Sequence, residues 1–401
     1  MTHASTIPAP SVRGTDNRDR VRPAERRQRR VPASALTALG LFVAARLCGG
    51  LVLVVVARAA GKRPLLLFGR SWDSVWYLHI ATHGYGLTQH TRHGIHSDLA
   101  FFPLYPALIR ALTTLGPLDR ITAGLLVSWT AAAVAAYGIH QLGLRLYGPA
   151  VAIVLVALWG LLPHSVVLSM AYTEPLLTAF AAWSLYSALT GRWIWAGTLA
   201  ALAGLSRPNG FAVAAAVLAA AAQEVWLRRG RGVSHRLWMG AALAPLGWAG
   251  YVLWVGHRRH DLFGGYFTVQ RLWGSRFDFG QGSLRFAEHM MLHGSRVLFP
   301  MALAIAAVSA VLFALLLADR APLPLVVYSG VLLVVALGGS GFFECKPRFL
   351  LPAFPLLIVV ARALVRTARA RPWHATVVAS ALAGLSFIYG AYVVVLARSP
   401  L

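Results

Sequence analysis

Apolar runs recur almost to the C-terminus, at about 34–57, 121–143, 149–168, 174–190, 194–206, 208–227, 237–256, 295–317, 322–339, 350–365 and 374–396. A helix advances about 1.5 Å per residue, so roughly 20 apolar residues cross a hydrocarbon layer about 30 Å thick. The pattern predicts an all-α, polytopic membrane protein of about eleven transmembrane helices. Two stretches depart from it. Residues 59–120 form the largest polar insertion, and within it Leu99 to Leu115 is apolar but interrupted by Pro103 and Pro106. Such a piece is expected to lie at the interface or to re-enter the membrane. Ile194 to Ser206 is too short to cross, so the turn Ser206-Arg207-Pro208-Asn209-Gly210 is expected below the outer surface, where irregular backbone must line a cavity or be covered by protein.

Composition agrees with the pattern. Of 401 residues, 58% are hydrophobic and 12% charged, which excludes disorder, collagen and small disulfide scaffolds and argues against a soluble enzyme. The net charge of +24 would fit a nucleic-acid partner if the basic residues formed one patch. They do not. Eight Arg lie in residues 1–32, and others sit in short loops at Arg145, Arg192, Arg228 to Arg236, Arg320 and Arg362 to Arg371. By the positive-inside rule that tail and those loops are cytoplasmic and the long loops are outside. The basic loop from His257 to Arg296 is the exception, and the rule is weak for longer loops. Lys62 and Lys346 are the lysines among 37 basic residues, an Arg bias that points to a GC-rich bacterial genome and hence to the cell membrane. The tail, 1–32, reads as a disordered basic segment lying against anionic lipid, followed by an integral membrane domain over 33–401. Ala57-Arg58-Ala59 has the form of a signal-peptidase site, but the preceding run is of membrane length and the tail before it too long for a signal peptide.

Acidic residues carry the functional signal. Outside the tail, Asp73, Asp98, Asp119, Glu174, Asp261, Asp278, Glu288 and Glu344 fall on the outer side, and Glu224 and Asp319 on the inner side. A cation-coupled transporter usually carries acids midway along its spans, so any chemistry is expected at the outer face. In the first outer loop, Trp72, Trp76, Tyr77 and Ile80 recur at helical spacing and predict an amphipathic interfacial helix ending at Gly84, with Asp73 at its start. Asp73 there is either an N-cap or an acid able to reach a lipid-borne group and an aqueous acceptor together. Asp98 precedes Phe101-Phe102-Pro103-Leu104-Tyr105-Pro106 and has the same alternative of capping the next helix.

Trp72-Asp73 with Trp76-Tyr77, the continuation to Tyr85, the Phe-Phe-Pro-x-x-Pro element, Tyr172-Thr173-Glu174-Pro175 and the Arg207-Pro208 turn together resemble the PIG-V-type mannosyltransferase family. That turn and Lys346-Pro347-Arg348-Phe349 are commoner across the wider glycosyltransferase C superfamily. The resemblance implies an inverting membrane glycosyltransferase that moves a sugar, in this family mannose, from a polyprenyl-phosphate carrier to an acceptor on the outer face. It implies catalytic roles for Asp73 and Asp98, with Trp72, Tyr77, Tyr172, Glu174, Arg207, Asn209 and Arg348 around the substrates. Physical chemistry suits part of this assignment. Inverting transfer needs a carboxylate to take the acceptor's proton and a cationic site for the departing phosphate, and Arg fits a phosphate in a partly dry cleft. The alternatives are snorkelling for Arg207 and Arg348, and a favourable helix-dipole charge for Glu174.

The remaining features change this little. His90, His93 and His96 repeat every three residues near Asp98, but Gly94 would break a helix aligning them, so a solvated loop is expected rather than a metal site. No cofactor is expected beyond the lipid-linked donor itself. No glycine-rich nucleotide loop appears, which argues against a sugar-nucleotide donor. Cys48 and Cys345 are too few for a disulfide framework. Partners are expected to be a polyprenyl-phosphate sugar, a glycan, glycolipid or protein acceptor, and membrane lipid. The competing class is a lipid or solute transporter, or a non-catalytic membrane scaffold.

Overall fold

The computed structural model describes residues 33–91, 94–293 and 297–397. The basic tail and His93 lie outside the described residues. The N-terminal part runs α1 (Ala33–Ala59), α2 (Pro64–Gly69), α3 (Asp73–His83), a hairpin of β1 (Thr88–Thr91) and β2 (Gly94–Ser97), α4 (Leu104–Leu115), α5 (Arg120–Tyr147) and α6 (Pro149–Gly160). The middle holds α7 (Glu174–Leu189), α8 (Trp193–Ser206), α9 (Phe211–Leu227), α10 (His235–Leu243), α11 (Leu246–Arg258) and α12 (Gly265–Leu272). Then come β3 (Arg276–Phe277), α13 (Gln281–His293), α14 (Leu298–Ala318), α15 (Leu323–Gly338), β4 (Gly339–Ser340), α16 (Lys346–Leu350), α17 (Leu357–Ala370) and α18 (Pro372–Ala391).

Each apolar run is helical over most of its length, but full-length crossings are fewer than eleven. Among the described residues six helical stretches are long and apolar enough, Ala33–Ala59, Arg120–Tyr147, Pro208–Leu227, His235–Arg258, Leu298–Ala318 and Pro372–Leu396. A seventh results if Phe343–Leu350 and Phe354–Ala370, bent by 74°, form one crossing. Leu104–Leu115, Pro149–Gly160, Trp193–Ser206 and Leu323–Gly338 are apolar and shorter. Local chemistry sets several breaks. Asp119 caps α5 by accepting from the backbone of Ile121 and Thr122, and its bond from the Thr122 hydroxyl, more than those two, holds its carboxyl below the usual range. Gly84, with φ +78°, ends α3 in a conformation that would strain any larger residue.

Buried aromatics join the helices. Trp159 of α6 stacks on Phe42 of α1 at 5.2 Å, and its indole N–H donates to the carbonyl of Leu351 at 3.1 Å. Tyr328 of α15 donates to the carbonyl of Pro352 at 3.0 Å. Prolines at 347, 352 and 355 interrupt regular helix here, and these two side chains satisfy carbonyls that the interruption frees. Outward surfaces of α1 carry Leu36, Leu47, Leu51 and Val55, and α18 exposes Val377 and Ile388. Apolar side chains turned away from the bundle are what lipid requires of a spanning helix.

The first large loop packs against protein more than the sequence suggests. Its helix α3 turns Tyr77, Leu78 and Ile80 inward, and Trp76 stacks on Phe101 at 5.6 Å and meets Trp273 edge-on at 5.1 Å. Trp76 is thus packed on Phe101, ahead of α4, and on Trp273, just after α12. Amphipathic character resides in α4, which buries Tyr105 and Ile109 and exposes Leu115.

Candidate active site

Four separated segments meet in one buried ionic cluster. The first is the start of α3. Trp72 precedes it with φ +46°, a region that a bulky residue rarely enters, and acts as the cap position. Asp73 is the first helical residue, which sets aside the N-cap alternative, and makes no capping bond. Its position is fixed through neighbours. Ser74 Oγ donates to the carbonyl of Ala171 at 2.9 Å, and the Tyr172 hydroxyl donates to the carbonyl of Ser71 at 3.3 Å. Ala171 N–H in turn donates to the carbonyl of Phe68 at 2.9 Å, so residues 68–74 are bonded along the strip that leads into Glu174.

Glu174 begins α7, where a negative charge also complements the helix dipole. Its Oε1 lies 2.5 Å from Arg207 Nη1 and 3.0 Å from Arg348 Nε. Arg348 Nη2 reaches Asp73 Oδ2 at 2.8 Å. Arg207 Nη1 also donates to Thr173 Oγ1 at 2.9 Å, and that oxygen is 3.2 Å from the Tyr77 hydroxyl. Tyr172 and Phe349 lie beneath the Arg348 guanidinium at 5.2 and 5.4 Å from their ring centroids. Burial pushes the Tyr77 phenol up to about 12, so it stays protonated and keeps a hydrogen for bonding.

Exposure is graded across the cluster. Glu174's side chain is 1% exposed and those of both arginines 6%, whereas Asp73's is 23% exposed. Two carboxylates and two guanidiniums balance in charge, which makes their burial tolerable, yet hydrogen bonding is incomplete. Neither oxygen of Glu174 has an aligned hydrogen bond, nor has Nε of Arg348, whose only partner is the ion pair to Glu174, and Arg348 Nη1 has no partner at all. A buried guanidinium edge left in that state is a binding feature for an anionic oxygen.

Of the other expected residues, Tyr172 is fully buried below Arg348, Trp72 is half-buried against the core, and Asn209 is buried in the turn after Arg207. That turn folds tightly, since a Cβ on Gly210 would come within 2.1 Å of the Ala203 carbonyl. Asp98 lies in a different environment. It is fully buried, its Oδ2 accepts from Gly86 and Leu87 N–H at 2.8 Å each, and Ser97 rather than Asp98 caps the following turn. Its observed contacts organise the first loop. His90 and His96 sit on β1 and β2, where His90 faces Ile95 and His96 faces Gln89, so the two rings point to opposite sides of the hairpin. His96 stacks on Trp273 at 4.3 Å.

Sequence reasoning passed over His164. Its ring is buried, meets Tyr389 edge-on at 5.2 Å, and has no hydrogen-bond partner on either nitrogen. It lines an apolar cavity of about 400 Å³ with Leu158, Pro163, Met301, Pro347 and Leu351. Pro347 directly precedes Arg348, so one wall of this cavity continues into the ionic cluster. An isolated ionisable residue within an apolar run was the signal available for it.

Similarity to a known family falls on three of the four segments of the cluster. The family model Mannosyltransferase (PIG-V) matches residues 53–241, which include Asp73, Glu174 and Arg207. Among solved structures, the apo oligosaccharyltransferase of Archaeoglobus fulgidus is similar at 12% identity with a TM-score of 0.50, over 90% of this chain. That likeness concerns the fold. The same archaeal protein in complex with an inhibitory peptide and a dolichol-phosphate gives 13% identity and a TM-score of 0.47, again over 90% of this chain. The chain spans 56% of the length of either neighbour. No curated protein matches the sequence.

Proposed function

We propose that the chain, whose residues 53–241 match the mannosyltransferase (PIG-V) family model, is a membrane glycosyltransferase that moves mannose from a polyprenyl-phosphate carrier to a hydroxyl acceptor at the outer face of the cell membrane, with inversion. The observation that carries this reading is the contact between Asp73 and Arg348, which brings a partly accessible carboxylate beside a buried cation with a free edge. A glycosyl transfer from a lipid phosphate needs a proton acceptor and a counter-charge for the leaving group, and that pair can supply both. Asp73 accepts the proton of the acceptor hydroxyl as its oxygen bonds to the anomeric carbon. The bond from that carbon to the phosphate oxygen breaks, and the electron pair leaves with the polyprenyl phosphate. Arg348, backed by Arg207 and oriented by Glu174, stabilises the charge on the departing phosphate.

The apolar cavity beside Pro347 suits the isoprenoid chain, because its walls are mostly hydrocarbon and one of its lining residues is the neighbour of Arg348 in the chain. Thr173 accepts from Arg207 and bonds in turn to Tyr77, which holds that guanidinium in place, and Tyr172 lies beneath Arg348. Asp98 supports the first loop that carries the base. Two arginines supply the positive charge that the phosphate needs, so the mechanism is metal-independent. The test is a membrane assay with radiolabelled polyprenyl-phosphate mannose and extracted acceptors, run with and without chelator. Labelled acceptor formed equally under both conditions supports the reading. Activity with a sugar nucleotide alone, or activity lost to chelator and restored by one divalent ion, overturns it.

A further inference from the structure

Arg348 presents two unlike edges. Its inner edge, Nε, faces Glu174 at 3.0 Å, and that carboxylate is closed off from solvent and shared with Arg207. Its outer edge consists of Nη2, paired with Asp73 at 2.8 Å, and Nη1, which has no hydrogen-bond partner. Tyr172 and Phe349 lie against the guanidinium, and Nη1 and Nη2 form its planar fork beside Asp73, the most exposed member of the cluster. A planar fork of that kind matches two oxygens of a phosphate. One of its two positions is occupied by the base itself.

We propose that the carrier phosphate and Asp73 exchange on the outer edge of Arg348, so that donor binding releases the base; this rests on Asp73 being the base and Arg348 the phosphate site. In the resting protein the ion pair engages Oδ2 of Asp73, the oxygen nearest the fork, and so holds the carboxylate away from an acceptor hydroxyl. The phosphate takes Nη1 and displaces Asp73 from Nη2. Glu174 stays in place because both arginines hold it, so the inner edge keeps Arg348 aligned while the outer edge changes partner. Asp73 is the member of the cluster best able to move, being the most exposed and lying one residue after Trp72, whose φ of +46° marks a junction at the start of α3. Donor therefore binds before a productive acceptor.

The exchange predicts a gain of affinity in a variant that has lost catalysis. Purified protein in detergent is titrated with farnesyl phosphate, a sugar-free short-chain probe, and binding is read by calorimetry. Asp73→Asn and Asp73→Ser should both bind the probe about 3- to 20-fold more tightly than the unaltered protein, the range between an exposed and a partly buried ion pair. Asp119→Asn, which removes an equal charge at the exposed start of α5, should leave affinity unchanged. Weaker or equal binding by both Asp73 variants overturns the exchange, as does equal tightening by Asp119→Asn, which would show a general field effect. Arg348→Gln separates this from the underlying site. If it loses the probe while the Asp73 variants gain nothing, the exchange alone fails; if it binds as tightly as the unaltered protein, the phosphate site itself is wrong.

Discussion

Lys346 and Arg348 occupy one short helix, α16, and are both buried, but their surroundings differ in kind. Lys346 Nζ donates to Ser283 Oγ, to the Ala336 carbonyl at 2.8 Å and to the Gly339 carbonyl at 2.9 Å, so its three hydrogens meet three neutral oxygens. It ties α16 to α13 and to the end of α15. Arg348 instead faces two carboxylates and keeps Nη1 without a partner. A buried cation whose donors are all satisfied by its own chain is a structural fastener. One left partly unsatisfied beside an accessible acid is equipped for a ligand.

The comparison can be broken or sharpened by substitution, and the largest effect is expected at Asp73. Asp73→Asn should lower the rate of mannosyl transfer about 10²- to 10⁴-fold with unchanged thermal stability, because the proposed general base is lost and the shape is kept. Wild-type turnover in that variant would remove Asp73 from the chemistry. Glu174→Gln comes next. It leaves two buried guanidiniums with one carboxylate, and should destabilise the protein by about 3–5 kcal/mol in detergent unfolding. A fully stable Glu174→Gln variant would show that the arginines do not depend on it.

The direct contrast between the two cations gives the third expectation. Arg348→Lys should raise the donor KM about tenfold, because a point charge replaces the planar fork, and should change stability little. Lys346→Met should do the reverse, losing about 1–3 kcal/mol of stability as its acceptors go unpaired, with the donor KM unchanged. Equal effects on KM would merge the two sites into one. The smallest effect is expected at the hairpin, where a His90→Ala, His96→Ala double variant should retain transfer within about twofold, since the rings lie on opposite faces. A chelator-like collapse in that variant would revive a metal role.

Much of the architecture is already dictated by the chain itself. Apolar periodicity located the helices because lipid forces backbone polar groups to pair within each segment, whatever the neighbours. Prolines at 103, 208 and 347 marked the breaks for a similarly local reason, the missing N–H and the ring's clash with the preceding turn. Asp73, Glu174, Arg207 and Arg348 were visible as charged residues beside such breaks. What they do to one another was not. The chain separates them widely, and only packing of α3, α7 and α16 with the turn after α8 makes Glu174 the shared counter-ion of both arginines and Asp73 the exposed partner of one. The same holds for Asp98, whose carboxylate turns back to Gly86 and Leu87 once the loop closes, and for Trp76, whose ring packs on Phe101 and Trp273. Local rules act over a few residues and can be read in order. Ion pairing and burial depend on which segments tertiary folding brings within a few ångströms, and that only the folded structure decides.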